Sequence, residues 1–390
     1  MLNPAAYQRS IDLLKKAATP YGFVAALQEH DNYRRIWTRD GVITSLAALL
    51  SGENDLIATA RRTIETLFEH QHPSGFMPSN VTPESQAVSY GGTAGRTDAP
   101  SWAVIGLCVY IRMTGDESLS RLYLPKVEKC FEVLDVWEFN GKHLVYVPQS
   151  GDWADEYIQH GYILLEQLLR VWALEEAYKI YGRQEWYNKA QIIRQIIRQN
   201  FYKQENTGAF YAPNLGHQLK EASSDYWLLG FNPARIYHYF DLQANTFALL
   251  LKLGTDVQDT TLLHWLKNQF EARQIFPSFY PTIQNNELDM RELKGNYAYE
   301  FRNKPHQFHN GGLWPVWNGW LAMALAQAGD KAMAETLTHA IHSANSLNNN
   351  EFNECLQGED GNVCGVPFCT WSAAGAVIAE QALNGNFLIK

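Results

Sequence analysis

The feature that most limits what this chain can fold into is a rhythm of short glycine turns between long helical stretches. Gly52, Gly115, Gly182, Gly254 and Gly329 each close one apolar-periodic segment, and a polar start to the next follows at once (SGEN, TGDE, YGRQ, LGTD, AGDK). A residue in the left-handed conformation just past a helix end favours glycine, which has no Cβ to clash. The intervals are 63, 67, 72 and 75 residues, a weak internal repeat. The periodicity predicts twelve helices, at about 5–17, 41–51, 54–70, 99–114, 117–137, 161–181, 184–201, 241–253, 257–271, 311–328, 331–345 and 370–384. Long connectors separate the pairs, at 18–40, 71–98, 138–160, 202–240, 272–310 and 346–369. Short turns join antiparallel neighbours, so five hairpins follow directly and the two chain ends supply a sixth. The expected fold is all-α: an (α/α)6 toroid, one domain over residues 1–390, with its long loops on one face.

Composition narrows the function classes. With 46% hydrophobic and 19% charged residues, the chain has ample core material. It has no run of eighteen apolar residues, so no membrane span is expected. The N-terminus lacks a basic start followed by an apolar stretch, so no signal peptide is expected. Cys108, Cys130, Cys355, Cys364 and Cys369 show no CxxC or zinc spacing, which predicts reduced thiols and a cytoplasmic protein. A net charge of −9 argues against nucleic acid. Phosphate-binding glycine motifs are absent, and His160, His306 and His309 are not spaced as metal ligands, so neither cofactor nor metal is expected. Homo-oligomerisation is compatible with the sequence.

The chemistry-bearing residues concentrate in the connectors, and long connectors are usually functional. Pro148–Tyr162 (PQSGDWADEYIQHGY) holds Gln149, Asp152, Trp153, Asp155, Glu156, Tyr157 and His160. Its acids are expected in the lead-in and first turn of a helix. There the helix dipole favours a charged carboxylate, while the neighbouring Trp153 favours a neutral one. The plainer explanation is a helix-capping cluster. NYRRIWTRDG places Trp37, Arg39 and Asp40 together, as an ion pair or as a clamp on hydroxyls. Asp98 is either a cap or a hydroxyl acceptor, with Trp102 one turn on. The fourth connector is dense in aromatics, Tyr226 among them, and Asp241 can cap the helix that follows. His309, Asn310, Trp314 and Trp317 surround a Gly-Gly helix start, and Glu351, Glu354, Glu359 and Asp360 precede Trp371. Acids, amides and aromatic rings converging on one face describe a carbohydrate cleft, since sugars offer hydroxyls to the first two and C–H faces to the third. These residue types alone do not choose among the acids.

Four motifs, WTRDG, RTDAPSW, HNGGLWP and TWSAAG, give the chain a resemblance to the alkaline/neutral invertases. It is also similar to the catalytic domain of glycogen-debranching amylo-α-1,6-glucosidases. The likeness covers nearly the whole chain as spaced motifs. HNGG-x-WP and TWS-x-AG lean to the invertases; DWAD leans to the debranching enzymes, and the basic-rich acid motif of the invertases is absent. Both families are (α/α)6-barrel glycoside hydrolases of inverting type. The resemblance implies Asp155 as general acid and Glu354 as general base, with Arg39, Asp40, Asp98, Trp102, His309, Asn310, Trp314 and Trp371 in the sugar pocket. Trp37, Gln149, Asp152, Trp153, His160 and Tyr226 complete the expected substrate contacts. The implied activity is exo-acting hydrolysis of a small oligosaccharide such as sucrose or an α-glucoside. Debranching activity, a phosphorylase, a sugar 2-epimerase using His160 and His309, and a non-catalytic sugar-binding protein are the alternatives.

Overall fold

The computed structural model describes residues 1–203, 210–270, 274–296 and 300–389. Its helices are α1 (Pro4–Ala17), α2 (Thr38–Ser51), α3 (Asn54–Glu69), α4 (Asp98–Thr114), α5 (Ser118–Val136), α6 (Leu164–Tyr181), α7 (Gln184–Asn200), α8 (Leu215–Gln218), α9 (Leu242–Leu250), α10 (Asp256–Phe270), α11 (Asp289–Lys294), α12 (Pro315–Gln327), α13 (Lys331–Asn350) and α14 (Thr370–Leu383). Apart from the short α8 and α11, each lies within a few residues of an expected helix. The expected last residue of one, Glu271, lies outside the described residues, as do parts of connectors 202–240 and 272–310.

Helices α2, α4, α6, α9, α12 and α14 touch in that order, and α14 returns to α2, so they close a ring. They are buried on almost every residue, as helices enclosed on all sides must be. In contrast, α1, α3, α5, α7 and α13 bury one stripe and expose the rest, which makes them outer-ring helices. The chain ends form the sixth hairpin: α1 packs on α14. The Glu380 carboxylate accepts from the backbone N–H groups of Leu2 (2.8 Å) and Asn3 (2.9 Å).

Gly52, Gly115 and Gly182 are left-handed C-caps (φ 72°, 73° and 69°), and Gly329 is left-handed too. Gly254 differs from expectation. Helix α9 stops at Leu250, and the left-handed residue is Lys252 (φ 51°). Gly254 itself is not left-handed, and a Cβ there would meet the Asp259 carboxylate, which would have to turn aside.

The connectors, expected to lack regular structure, carry short strands. Tyr162–Ile163, Leu228–Phe231, Ile236–Asp241 and Phe279–Tyr280 form a four-stranded antiparallel sheet drawn from three connectors. Chain buried over the ring mouth must pair its backbone groups, and the aromatic residues here suit a pleated, half-buried surface.

The inner ring is tightest between α12 and α14. A Cβ on Gly375 would sit 2.7 Å from the Pro315 carbonyl oxygen and the Val316 Cα, and one on Gly319 would overlap the Gly375 backbone. Gly375→Ala should therefore cost about 3 kcal/mol, the upper end of overpacking. Gly52→Ala, with open space around it, should cost only about 1 kcal/mol, for its left-handed backbone. Urea unfolding checks both, and equal losses would remove the argument from close approach.

Candidate active site

The acids of connector 138–160 do not sit on a helix as expected. Residues 151–160 are irregular, α6 begins at Leu164, and the acid in its first turn is Glu166. Helix-dipole and capping explanations therefore do not apply to Asp152 and Asp155. The loop is closed at its base by paired hydrogen bonds between Val147 and Gly161 (2.6 and 2.8 Å). Burial, not a dipole, sets the chemistry of Asp152.

Trp153 is the centre of the site. It is buried, and its ring centroid lies 5.2 Å from those of His309, Trp314 and Trp317, 5.9 Å from Phe279 and 6.4 Å from Trp371. Arg39 lies 5.5 Å over the Trp371 ring. Its guanidinium meets Asp98 at 3.2 Å and Asp40 at 3.3 Å. Burial works against the Arg39 charge, but Asp40, Asp98, Asp155 and Asp152 outweigh it and raise its proton affinity. Asp98 therefore serves as the partner of Arg39 and makes no side-chain cap on α4.

The three candidate acids differ sharply. Asp152 is 1% exposed. Burial, reinforced by the charge of Asp98, pushes its carboxyl up to about 8. Its Oδ1 accepts from the Trp153 N–H, and Oδ2 has no partner among the described residues. The Asp155 side chain is 37% exposed and is held by Arg96, Nη2 to Oδ2 at 2.8 Å. Glu354 is 3% exposed, and burial lifts it to about 7 against the opposing pull of the Tyr33 hydroxyl, the Val366 N–H and Arg302. Glu354 stands at the foot of a hairpin in which Cys355 and Cys364 pair directly across (Cα–Cα 5.2 Å) as a disulfide. This corrects the expectation that every thiol is reduced. Neither the pattern of five cysteines nor their spacing reveals two strands that oppose these two residues. Cys108, Cys130 and Cys369 are free and buried.

Several buried polar atoms in this region find no hydrogen-bond partner among the described residues: Asp152 Oδ2, Asp241 Oδ2, His309 Nδ1, Trp153 Nε1 and Trp371 Nε1. Most buried polar atoms in folded proteins are paired, so a cluster of orphans calls for an explanation. A ligand rich in hydroxyl groups would supply both donors and acceptors here.

Other expected contacts lie elsewhere. Trp102 is in the barrel interior, its ring against Trp172 and Phe247, which makes it packing rather than pocket wall. Tyr226 packs on Phe240 and Trp265, and its hydroxyl donates to the His238 carbonyl oxygen. Asn310 spends its side-chain amide on the backbone of Ile283 (2.8 and 2.9 Å), so it braces the connector. Trp37 donates to the Asn32 carbonyl oxygen, and Gln149 donates to Asn296 Oδ1. His160 sits beside Tyr237 and Asn232, with Glu292 at 3.7 Å. The structure also adds residues that sequence reasoning passed over. Tyr33 and Arg96 hold Glu354 and Asp155, and each lies inside or beside a motif already singled out. Arg302 pairs with Glu156 at 2.8 Å. Asp241 caps α9 as expected, accepting from the Ala244 N–H, but leaves its second oxygen free.

A ring of six hairpins with buried carboxylates from separate connectors gathered around a tryptophan cage is the architecture of a six-hairpin glycosidase. The family model for alkaline and neutral invertase matches residues 166–385, and the chain belongs to that family; it is a glycoside hydrolase. The probable alkaline/neutral invertase A, chloroplastic, of Arabidopsis thaliana is 22% identical, over 94% of this chain and 67% of its own length. Its alkaline/neutral invertase C, mitochondrial, is also 22% identical, and the chain spans 64% of it. Cytosolic invertase 1 of Oryza sativa subsp. japonica is 24% identical, over 94% of this chain and 75% of its own. Among solved structures, the mannosylglycerate hydrolase of Thermus thermophilus, in complex with Tris and D-glycerate, shares the fold. Its TM-score is 0.69 at 14% identity, with 96% of this chain and 99% of that one covered. A bacterial glucoamylase complexed with acarbose gives a TM-score of 0.65 at 16% identity, covering 98% of this chain and 56% of that one.

The buried acids make stability depend on pH. Asp152 (about 8), Asp241 (about 7) and Glu354 (about 7) all hold protons in the folded chain at pH values where an unfolded Asp or Glu has lost them. Between about pH 4 and 8 these three groups bind more protons in the folded state than in the unfolded one, so their contribution to stability falls as pH rises. The melting temperature of Asp152→Asn should therefore gain on that of the wild type as pH rises across that window. A difference between the two proteins that does not grow from pH 5 to pH 8 would contradict the Asp152 assignment.

Proposed function

We propose that this protein is an inverting, exo-acting glycosidase that removes a terminal sugar from a small oligosaccharide such as sucrose or an α-glucoside, working as a single catalytic domain. The observation that carries the reading is the set of orphaned polar atoms around Trp153, Trp371 and His309, bracketed by carboxylates from different connectors. Asp155 donates a proton to the glycosidic oxygen as the bond to the anomeric carbon breaks. Glu354 takes a proton from a water, whose oxygen attacks that carbon from the opposite face. Each step leaves the sugar a hydroxyl and the leaving group a proton, and solvent resets both carboxyls. Asp155 has the most exposed side chain of the connector's Asp152, Asp155 and Glu156, which suits a group that meets substrate.

One observation favours a second donor. Burial keeps the Asp152 carboxyl protonated at neutral pH, the state a general acid needs. Substitution separates the two. Asp155→Asn and Glu354→Gln should each lower turnover by roughly 10²–10⁴-fold with folding intact. If Asp152→Asn alone abolishes activity, Asp152 is the donor. The epimerase reading has less support, because His160 is engaged with Tyr237 and Asn232 while His309 stands apart against Trp153 and Trp314.

Two measurements test the reaction itself. Purified protein incubated with sucrose, maltose, isomaltose or trehalose should release free monosaccharide from at least one, and epimerisation or binding alone would release none. With that substrate, kcat/KM should rise with pH through about 7 as Glu354 loses its proton. Proton NMR in the first minutes should show the anomer opposite to that of the substrate. A retained anomer sinks the inverting mechanism.

A further inference from the structure

We propose that Tyr33, in the first connector, is the positioning residue for the Glu354 carboxylate, an inference that rests on the reading of Glu354 as general base. The Tyr33 hydroxyl donates to Glu354 Oε1 at 2.9 Å. The other oxygen, Oε2, accepts from the Val366 N–H at 3.2 Å. Behind it stands Gly365 in the left-handed conformation (φ +75°), where a Cβ would lie 2.5 Å from Oε2. The carboxylate is thus fixed at one oxygen by its own hairpin and at the other by a side chain more than three hundred residues away in sequence. Among the described residues Tyr33 is the one side chain that hydrogen-bonds it.

Tyr33 is itself well placed. Its N–H donates to the His30 carbonyl oxygen at 3.0 Å, and its own carbonyl oxygen accepts from the Ala26 N–H at 3.0 Å. Burial and the facing Glu354 charge raise the Tyr33 phenol well above its ordinary range, so it stays a donor throughout the working pH range. The other charged or titratable groups that face Glu354 are Arg302, Asp40 at the start of α2, and Cys369 just before α14. Arg302 is committed to Glu156 at 2.8 Å and stacks 4.2 Å over the Phe308 ring, so it acts on Glu354 through space. Asp40 favours the protonated base. Tyr33 opposes it with a directed hydrogen bond, and that bond also aims the free lone pairs of the carboxylate, which has about four acceptor sites.

The test removes one oxygen atom. Tyr33→Phe keeps the ring and loses the donor, so Glu354 should titrate higher by about one pH unit. Carbon NMR of protein labelled at the glutamate carboxyl reads this without substrate, with the Glu354 signal identified by its loss in Glu354→Gln. In rate terms, kcat/KM on the disaccharide the wild type hydrolyses should fall about five-fold at pH 7 and recover by pH 9. A purely structural defect would instead lower the rate equally at every pH and reduce the melting temperature. An unmoved Glu354 titration in a Tyr33→Phe protein that melts like wild type overturns the proposal. An active Glu354→Gln protein overturns the base assignment instead, and the NMR titration still shows whether Tyr33 governs the carboxyl.

Discussion

A buried positive charge holds the mouth of this barrel together. Arg39 stands at the first turn of an inner helix, contacts Asp40 and Asp98, and lies over the Trp371 ring. Removing a guanidinium from water is expensive unless carboxylates surround it, and carboxylates gathered so closely would repel one another without it. Each therefore needs the other. The cluster brings the first, second and third connectors to one point, because Asp98 and Asp152 lie within reach of the Arg39 charge. What remains uncompensated is proton-rich. Asp152 and the neighbouring Glu166 are both pushed up, by burial first and then by the acids around them. A site of this kind can keep one carboxyl neutral beside another that is charged, the condition that proton donation and water activation both need.

Much of the fold was legible in the sequence because its signals are local. A glycine at a helix end, an apolar period and a polar restart need no tertiary information, and they located the inner and outer rings. Gly254 shows the limit of that reasoning. It looked like the other turn glycines, yet the left-handed residue is Lys252 and Gly254 is not left-handed. The short strands over the ring mouth escaped notice for a related reason. Strands of two to six residues carry almost no periodicity, and partners from three connectors pair them.

The site was legible as a set of connectors and much less so as a set of roles. Asp, Asn and Trp look alike in sequence whether they face a ligand or brace the backbone. Asn310 turned out to tie down Ile283, and Trp102 belongs to the barrel interior. Roles are set by burial and by partners distant in sequence, as with Arg96 against Asp155 and Tyr33 against Glu354. Only the family resemblance distinguished Asp155 from Asp152, since the two lie three residues apart in one loop and differ in exposure rather than in type.

The seam between the two chain ends carries a consequence for biosynthesis. Glu380 grips the backbone of residues 2 and 3, Thr370 donates its N–H to the Ala25 carbonyl oxygen, and Tyr33 reaches Glu354 across the same junction. These contacts span almost the whole sequence, the kind that form late because the loop they close is so long. Tyr33 therefore cannot meet Glu354 until more than three hundred further residues have been made.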